Sequence, residues 1–276
     1  MTIEAPPRER PLLLALDLDG TLIEPLKPVR PAVLAAVRAA AALGVRSTVV
    51  TGRMYVATAP YLSVLEVEGP VICYQGAVLA DAKSGKFLRE TPLASAIALR
   101  SYFAGKAGGY HVQFYAGDRF YVEERNRYSD LYSRISGTEP IVVRSLAEEF
   151  AGRDSTKVNI VTDPERVPAC MALMERVCGD AAYVTRSNPE FVELLDPGVD
   201  KGRALGEAAA LGGIPMERIL AIGDSYNDLP LLRAAGFAVA MGSAPPELKA
   251  EADAVVGDVE HDGVAEAIER FVLEIL

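Results

Sequence analysis

Short apolar runs alternate along the chain with longer stretches in which alanine and leucine recur at helical spacing. In the first and last thirds the apolar runs predict strands over Leu12–Asp17, Arg46–Thr51, Pro70–Tyr74, Ile219–Gly223 and Phe237–Ala240. Between them, Pro31–Leu43 predicts a helix that stops at Gly44, and Leu229–Ala235 a second one closed by Gly236. That alternation predicts an α/β fold built on a doubly wound parallel sheet. The middle third reads differently. Tyr110–Tyr115 and Arg119–Glu123 are aromatic, strand-like runs on either side of Ala116-Gly117-Asp118, a hairpin signal. Seven of the eleven tyrosines lie in this third of the chain. It predicts a second, α+β domain over residues 89–196, inserted into a first domain made of residues 1–88 and 197–276.

Composition narrows the function classes. Of the 276 residues, 50% are hydrophobic and 24% charged, as in a globular protein rather than a disordered one. The formal net charge of −10 lacks the clustered Lys and Arg that a nucleic-acid backbone requires, so no nucleic-acid partner is expected. Cys73, Cys170 and Cys178 are odd in number and lack C-x-x-C spacing, which supports neither a disulfide framework nor a zinc site and suggests a cytoplasmic protein. The apolar run Leu12–Leu16 is cut off by Asp17 and Asp19, too early for a signal-peptide core or a membrane span.

Two carboxylate clusters carry the candidate chemistry. Asp17-Leu18-Asp19-Gly20-Thr21 follows the first strand, at the edge where parallel α/β sheets bind ligands. It is also compatible with a plain Asp-Gly turn; a calcium loop fails, because glycine comes at the fourth position instead of the sixth. Gly223-Asp224-Ser225-Tyr226-Asn227-Asp228 follows another strand, where Asp228 could serve only as a helix N-cap. Taken together, two strand ends of one sheet would gather Asp17, Asp19, Asp224 and Asp228 in one crevice. Such a set repels itself unless it holds a cation, and an all-oxygen set favours a hard one such as Mg2+.

These residues, with Thr51-Gly52-Arg53 and Asp200-Lys201-Gly202, resemble the four ordered motifs of the haloacid dehalogenase superfamily. From Asp17 to Thr51 is 34 residues, with no room for an inserted domain, whereas Thr51 to Lys201 is 150 residues. That arrangement is similar to the type-II cap of the Cof-type phosphatases, a Rossmannoid core carrying an α+β cap that supplies specificity. Gln75 and Ser243 stand where that group usually has asparagine.

The resemblance implies a magnesium-dependent phosphatase acting on a small phosphorylated metabolite, with sugar phosphates the leading class and phosphorylated cofactors such as flavin mononucleotide or pyridoxal phosphate still open. It gives Asp17 the role of nucleophile that becomes an aspartyl-phosphate, Asp19 that of general acid and base, Thr51 that of a phosphoryl hydrogen-bond donor and Lys201 that of a counter-charge. Mg2+ would be held by Asp17, the backbone carbonyl of Asp19 and Asp224, with Asp228 and Asn227 in the outer shell. Backbone donors at Leu18, Gly20 and Gly52 would complete the phosphate cradle, and Arg53 either touches phosphate or braces its loop. Lys201 also has an ordinary reading as a solvated charge at the start of a helix, and His111 and His261 have no acid or nucleophile patterned around them. In the insertion, Gln113, Arg119, Asn159, Arg186 and Asn188 are unranked candidates for substrate contact. A phosphomutase or other phosphotransferase, and a non-catalytic phosphometabolite sensor, are the rival functions; a monomer or homodimer is expected.

Overall fold

The computed structural model describes residues 7, 9–24 and 27–275. They divide into two compact units. The first comprises the described residues up to Gly52, Thr58–Leu88 and the chain from Asp200; the second comprises Arg53–Ala57 and Arg89–Val199. The chain begins with β1 (Leu13–Leu16), α1 (Pro31–Ala42), β2 (Arg46–Val49), α2 (Tyr55–Val64), β3 (Pro70–Cys73), β4 (Val78–Asp81) and β5 (Phe87–Glu90). It continues through α3 (Ser95–Ala107), β6 (His111–Ala116), β7 (Arg119–Val122), α4 (Arg127–Ser136), β8 (Ile141–Val142), α5 (Leu146–Glu149), β9 (Val158–Val161), α6 (Val167–Cys178), β10 (Tyr183–Thr185) and β11 (Phe191–Leu195). It ends with α7 (Lys201–Gly212), β12 (Ile219–Gly223), α8 (Leu229–Ala234), β13 (Phe237–Ala240), α9 (Pro246–Glu251), β14 (Ala254–Val255) and α10 (Gly263–Ile268). None of the described helices is long and apolar enough to cross a membrane.

The first unit is built on a parallel sheet of order β14-β13-β12-β1-β2. Strand β1 lies between β12 and β2, and Leu16 lies opposite both Ile222 and Val49. The residues that come next, Asp17, Gly223 and Val50, therefore lie together at one edge, where β1 ends and Gly223 is the last residue of β12. Ala15, Ala221 and Ala240 on the strands are small enough for Leu205, Ala208 and Ala209 of α7 and Leu231 and Leu232 of α8 to pack closely among them. Each leucine buried in this way contributes roughly 1.5–3 kcal/mol relative to exposure.

Two local expectations are revised. Pro70–Tyr74 does not extend the parallel sheet along its length. Tyr74, Gln75 and Gly76 have φ of 52°, 58° and 102°, so the chain reverses and β3 pairs antiparallel with β4, leaving one bridge, Val50 to Ile72, to the parallel sheet. Gly44, at φ 82°, ends α1 in the left-handed conformation as expected, whereas Gly236 does not adopt it. Glycine is required there by space, because a Cβ would lie 2.5 Å from the Glu217 carbonyl oxygen.

The second unit carries a sheet of order β10-β11-β9-β6-β7-β8, antiparallel except for β7 and β8. The hairpin turn is Gly117-Asp118, with φ 59° and 56°, the mirror-image turn that matches the twist of two-residue hairpins. Val112, Phe114, Val158, Ile160, Val192 and Leu194 form an apolar core with Ala98 and Tyr102 of α3 and Cys170 and Met174 of α6. The intervening positions Gln113, Tyr115, Lys157, Asn159 and Glu193 are polar and also buried. Lys157 and Glu193 form a buried ion pair, and Ser187 Oγ donates to the second Glu193 oxygen at 2.7 Å. Tyr115 and Tyr132 serve packing, since Tyr115 stacks on Phe120 and Tyr132 meets both rings edge to face inside this unit.

His111 opens β6, half-buried, with Nδ1 3.1 Å from Asn126 Nδ2 and its ring against Tyr128. Burial, aided by Lys106 and opposed by Glu124 and Glu123, lowers its pKa to about 4. The unfolded chain therefore binds a proton between about pH 6.5 and about pH 4 that the native state refuses, so native stability falls as pH drops through that window. The loss should reach on the order of 3 kcal/mol at the acid end. Urea unfolding from pH 7.5 to pH 4.5 checks this: His111→Gln should flatten the acid slope relative to wild type, and equal slopes would contradict the burial argument.

Candidate active site

The β1 register delivers Asp17 into a buried cluster. Its N–H donates to Ile222 O at 3.0 Å, which holds the residue against the end of β12. Lys201, the first residue of α7, is 1% exposed, so it is not a solvated helix-end charge. Its Nζ donates to Asp17 Oδ1 at 2.5 Å and to Asp228 Oδ1 at 2.5 Å. Asp200, just before it, provides the helix N-cap by accepting from Arg203 N at 2.8 Å.

Asp228 precedes α8 but makes no side-chain cap to that helix. Its second oxygen instead accepts from the N–H groups of Asp224 and Ser225, both at 3.0 Å, which curls the β12–α8 loop back on itself. Asp224 accepts from Thr21 Oγ1 at 3.0 Å, tying the two motif loops together. Gly20, at φ 85°, leaves the space that this requires: a Cβ there would sit 2.3 Å from Asp224 Oδ2. The Gly20 N–H is not free for a phosphate cradle, because it donates to Ile23 O at 2.8 Å.

The charges do not balance locally. Burial first, then the charges of Asp228 and Asp224, push the Asp17 carboxyl well above the usual carboxylate range, against the pull of Lys201. Asp224 is pushed up to about 7 by burial and by Asp228, with the Thr21 hydrogen bond opposing. Burial works against the Lys201 ammonium, yet the two carboxylates hold its pKa above the ordinary lysine value. One ammonium does not neutralise three carboxylates, so the cluster takes up either a proton or a further cation.

The residues fit a metal. Carboxylate oxygens of Asp17, Asp224 and Asp228 lie within 4.8 Å of one another, an all-oxygen set suited to a hard cation. Asn227 Oδ1 is buried without a hydrogen-bond partner, which leaves one more oxygen in the same loop to orient a metal-bound water. The Asp19 carboxylate is not part of this group, and Asp19 lies at a bridge to Ile23.

Thr51 is buried at the end of β2, where its N–H donates to Ile72 O at 2.8 Å and its carbonyl accepts from Gln75 N at 3.0 Å. Gln75 is the residue whose role the sequence left open. It is buried in a left-handed conformation, and its Oε1 accepts from Asn227 Nδ2 at 3.0 Å. A Cβ on Gly52 would lie 2.3 Å from Gln75 Nε2, so glycine at 52 and glutamine at 75 fit each other. Leu18 is buried, and its carbonyl accepts from Leu22 and Ile23, closing the first motif turn. Ser243 is exposed.

Arg53 belongs to the second unit, where Nη1 donates to Ile135 O at 3.1 Å, so it braces its segment. Of the other candidates there, Gln113 and Asn159 are buried and in register on β6 and β9, Arg119 is exposed, and Arg186 and Asn188 are half-buried after β10. His261 is exposed and pairs with Asp258 at 2.6 Å, outside the carboxylate cluster.

The sequence profile of the haloacid dehalogenase-like hydrolases matches residues 14–268. The chain is 30% identical over 263 residues to the pyridoxal phosphate phosphatase YbhA of Escherichia coli, covering 93% of this chain and 97% of that protein. It is 28% identical over 268 residues to the 5-amino-6-(5-phospho-D-ribitylamino)uracil phosphatase YitU of Bacillus subtilis, covering 95% and 98%. A crystal structure of a haloacid dehalogenase-like hydrolase from Bacteroides thetaiotaomicron superposes with a TM-score of 0.82 at 27% identity, covering 94% of this chain and 98% of that one. With the motif carboxylates and Lys201 drawn together at one sheet edge, the chain belongs to the haloacid dehalogenase-like hydrolases, as a phosphoric monoester hydrolase.

Proposed function

We propose that the chain is a Mg2+-dependent phosphatase that hydrolyses a small phosphorylated metabolite, a sugar phosphate as the leading class, through an aspartyl-phosphate on Asp17. The observation that carries this reading is the Lys201 ammonium held between Asp17 and Asp228 at the β1 edge, beside Asp224. A buried carboxylate fixed in orientation, with an ammonium already bonded to it, suits in-line attack on phosphorus, where positioning and charge stabilisation do most of the work.

In the first step an Asp17 oxygen attacks phosphorus, the bond to the leaving oxygen breaks, and Asp19 gives that oxygen a proton. In the second step Asp19 takes a proton from water as the water attacks phosphorus, the bond to Asp17 breaks, and inorganic phosphate leaves. Thr51 donates its hydroxyl to a phosphoryl oxygen, and Lys201 offsets the charge on Asp17 throughout. Asp17 and Asp224, with the Asp19 carbonyl, would hold Mg2+, and Asp228 and Asn227 would order its outer shell. When bound, the ion neutralises charge developing on the phosphoryl oxygens. The second unit, residues 89–196 with its flanks, would choose among substrates by contacts to the leaving group.

Three outcomes test the reading. Asp17→Asn should still fold, with a single cooperative thermal transition, and lose turnover of para-nitrophenyl phosphate in magnesium to background; activity above a few per cent of wild type would remove Asp17 as nucleophile. Asp19→Asn should lose roughly two to four orders of magnitude with alkyl phosphates and much less with aryl phosphates, whose leaving groups need little protonation; an equal loss in both would assign Asp19 a structural part. Because Asp224 titrates near 7, magnesium must displace its proton: the apparent affinity should fall as pH drops below about 7 and level off above it. Calorimetry in two buffers of different ionisation enthalpy measures that proton release, and a pH-independent affinity would contradict the ligand set.

A further inference from the structure

The turn between β3 and β4 runs against the preferences of its own residues. Tyr74 and Gln75 are not glycines, yet they hold φ of 52° and 58°, and Gly76 follows at 102°. Side chains other than glycine rarely adopt that conformation, and where they do the surrounding contacts hold them in it. Here the contacts run to motif segments of the same unit. The Gln75 N–H donates to Thr51 O at 3.0 Å. Gly76 comes so close to the start of α7 that a Cβ on it would stand 2.5 Å from Asp200 O, one residue before Lys201. Gln75 Oε1 accepts from Asn227 Nδ2 at 3.0 Å, with its Nε2 in the space that Gly52 leaves open.

The bond to Asn227 decides which end of that amide is left over. A side-chain amide has one acceptor oxygen and one donor nitrogen. With Nδ2 engaged by Gln75, Oδ1 is the atom without a hydrogen-bond partner, on a residue only 5% exposed. A buried oxygen left unmet is costly, so it marks a place where a donor belongs. Asn227 sits in the loop between Asp224 and Asp228, whose carboxylates form the cation set with Asp17. The N–H groups of Asp224 and Ser225 curl that loop onto Asp228. Mg2+ keeps several of its waters, and a water on the ion is a donor. An amide turned the other way would offer it an N–H, and two donors facing each other make no bond.

We propose that Gln75 is a positioning residue for the metal: by binding Asn227 Nδ2 it turns the amide so that Oδ1 serves a metal-bound water. This rests on the reading above that Mg2+ occupies the set of Asp17, Asp224 and Asp228. A glutamine that only filled the turn would change the stability of the metal-free protein and leave metal binding alone.

The test is a double-mutant cycle on Gln75→Met and Asn227→Ala. It is read as the dissociation constant for magnesium chloride, by titration calorimetry on the metal-free full chain, beside the melting temperature without metal. Methionine keeps the unbranched side chain and removes both amide groups. Q75M should weaken Mg2+ binding about tenfold where Asn227 is present and less than about twofold in the N227A background. If Q75M fails to fold, Gln75→Asn carries the same cycle: asparagine tolerates the left-handed backbone, and its amide, one methylene shorter, stops short of Asn227. A lower melting temperature with unchanged Mg2+ affinity, or an equal loss of affinity with and without Asn227, would overturn the proposal and leave the phosphatase reading intact. So would an N227A protein that binds Mg2+ as tightly as wild type, since the amide would then orient nothing. A wild-type chain that binds no Mg2+ would fail the parent reading, and this proposal with it.

Discussion

The Lys201 ammonium, shared between Asp17 and Asp228, is the interaction on which the site depends. Three carboxylates converge at this sheet edge, and without a buried cation among them at least two could not ionise together. The fold delivers that cation through close packing of α7 on α8. A Cβ on Gly202 would fall 2.2 Å from the Pro230 carbonyl oxygen, so the glycine beside Lys201 is what lets the two helices approach. Losing one member of such a buried set costs about 3–5 kcal/mol, because the remaining charges stay buried without their partner. Stability and chemistry therefore rest on the same four side chains.

The remaining charge imbalance points the same way. Asp17 and Asp224 have raised pKa values in a cluster with too little positive charge, which is the condition a hard cation relieves. Glycines at 20 and 223 leave room for this crowding: a Cβ at Gly223 would lie 2.6 Å from the Asp228 Cβ, and one at Gly20 would strike the Asp224 carboxylate. The sheet register then turns short sequence motifs into one constellation. Asp17 is some two hundred residues of chain from Asp224 and Asp228, yet the three meet because Leu16 pairs with Ile222.

Residues placed by their own position at a strand end were legible in the sequence. Asp17, Asp224 and Asp228 come together as that placement predicts, the Asp19 carboxylate is not in the group, Lys201 joins it at the place the motif resemblance gives, and the parallel sheet is recovered apart from β3. What escaped depended on contacts between distant segments or on local backbone. Gln75 bonds to Asn227 only because three successive residues adopt positive φ, which no residue type there demands. The Gly20 N–H is consumed by a turn to Ile23, and its value lies in the space beside Asp224. Asp118 looked like turn chemistry alone, and nothing in Gly117-Asp118 signals that its carboxylate also accepts from Tyr55 N and Val56 N, more than sixty residues away. In the second unit, aromatic strand-like runs around a hairpin signal gave β6 and β7, but burial of the polar set was invisible, because its ion pair joins Lys157 to Glu193, 36 residues further along the chain.

The central claim is that the Asp17 carboxylate, held by Lys201, attacks phosphorus, so that water acts only on a covalent intermediate. The stereochemical course at phosphorus tests it most directly, using an aryl phosphorothioate ester made chiral with oxygen isotopes and hydrolysed in isotopically labelled water. Two successive in-line displacements predict overall retention of configuration. Inversion would mean that water attacks the substrate directly, and that Asp17 serves only as a ligand or counter-charge.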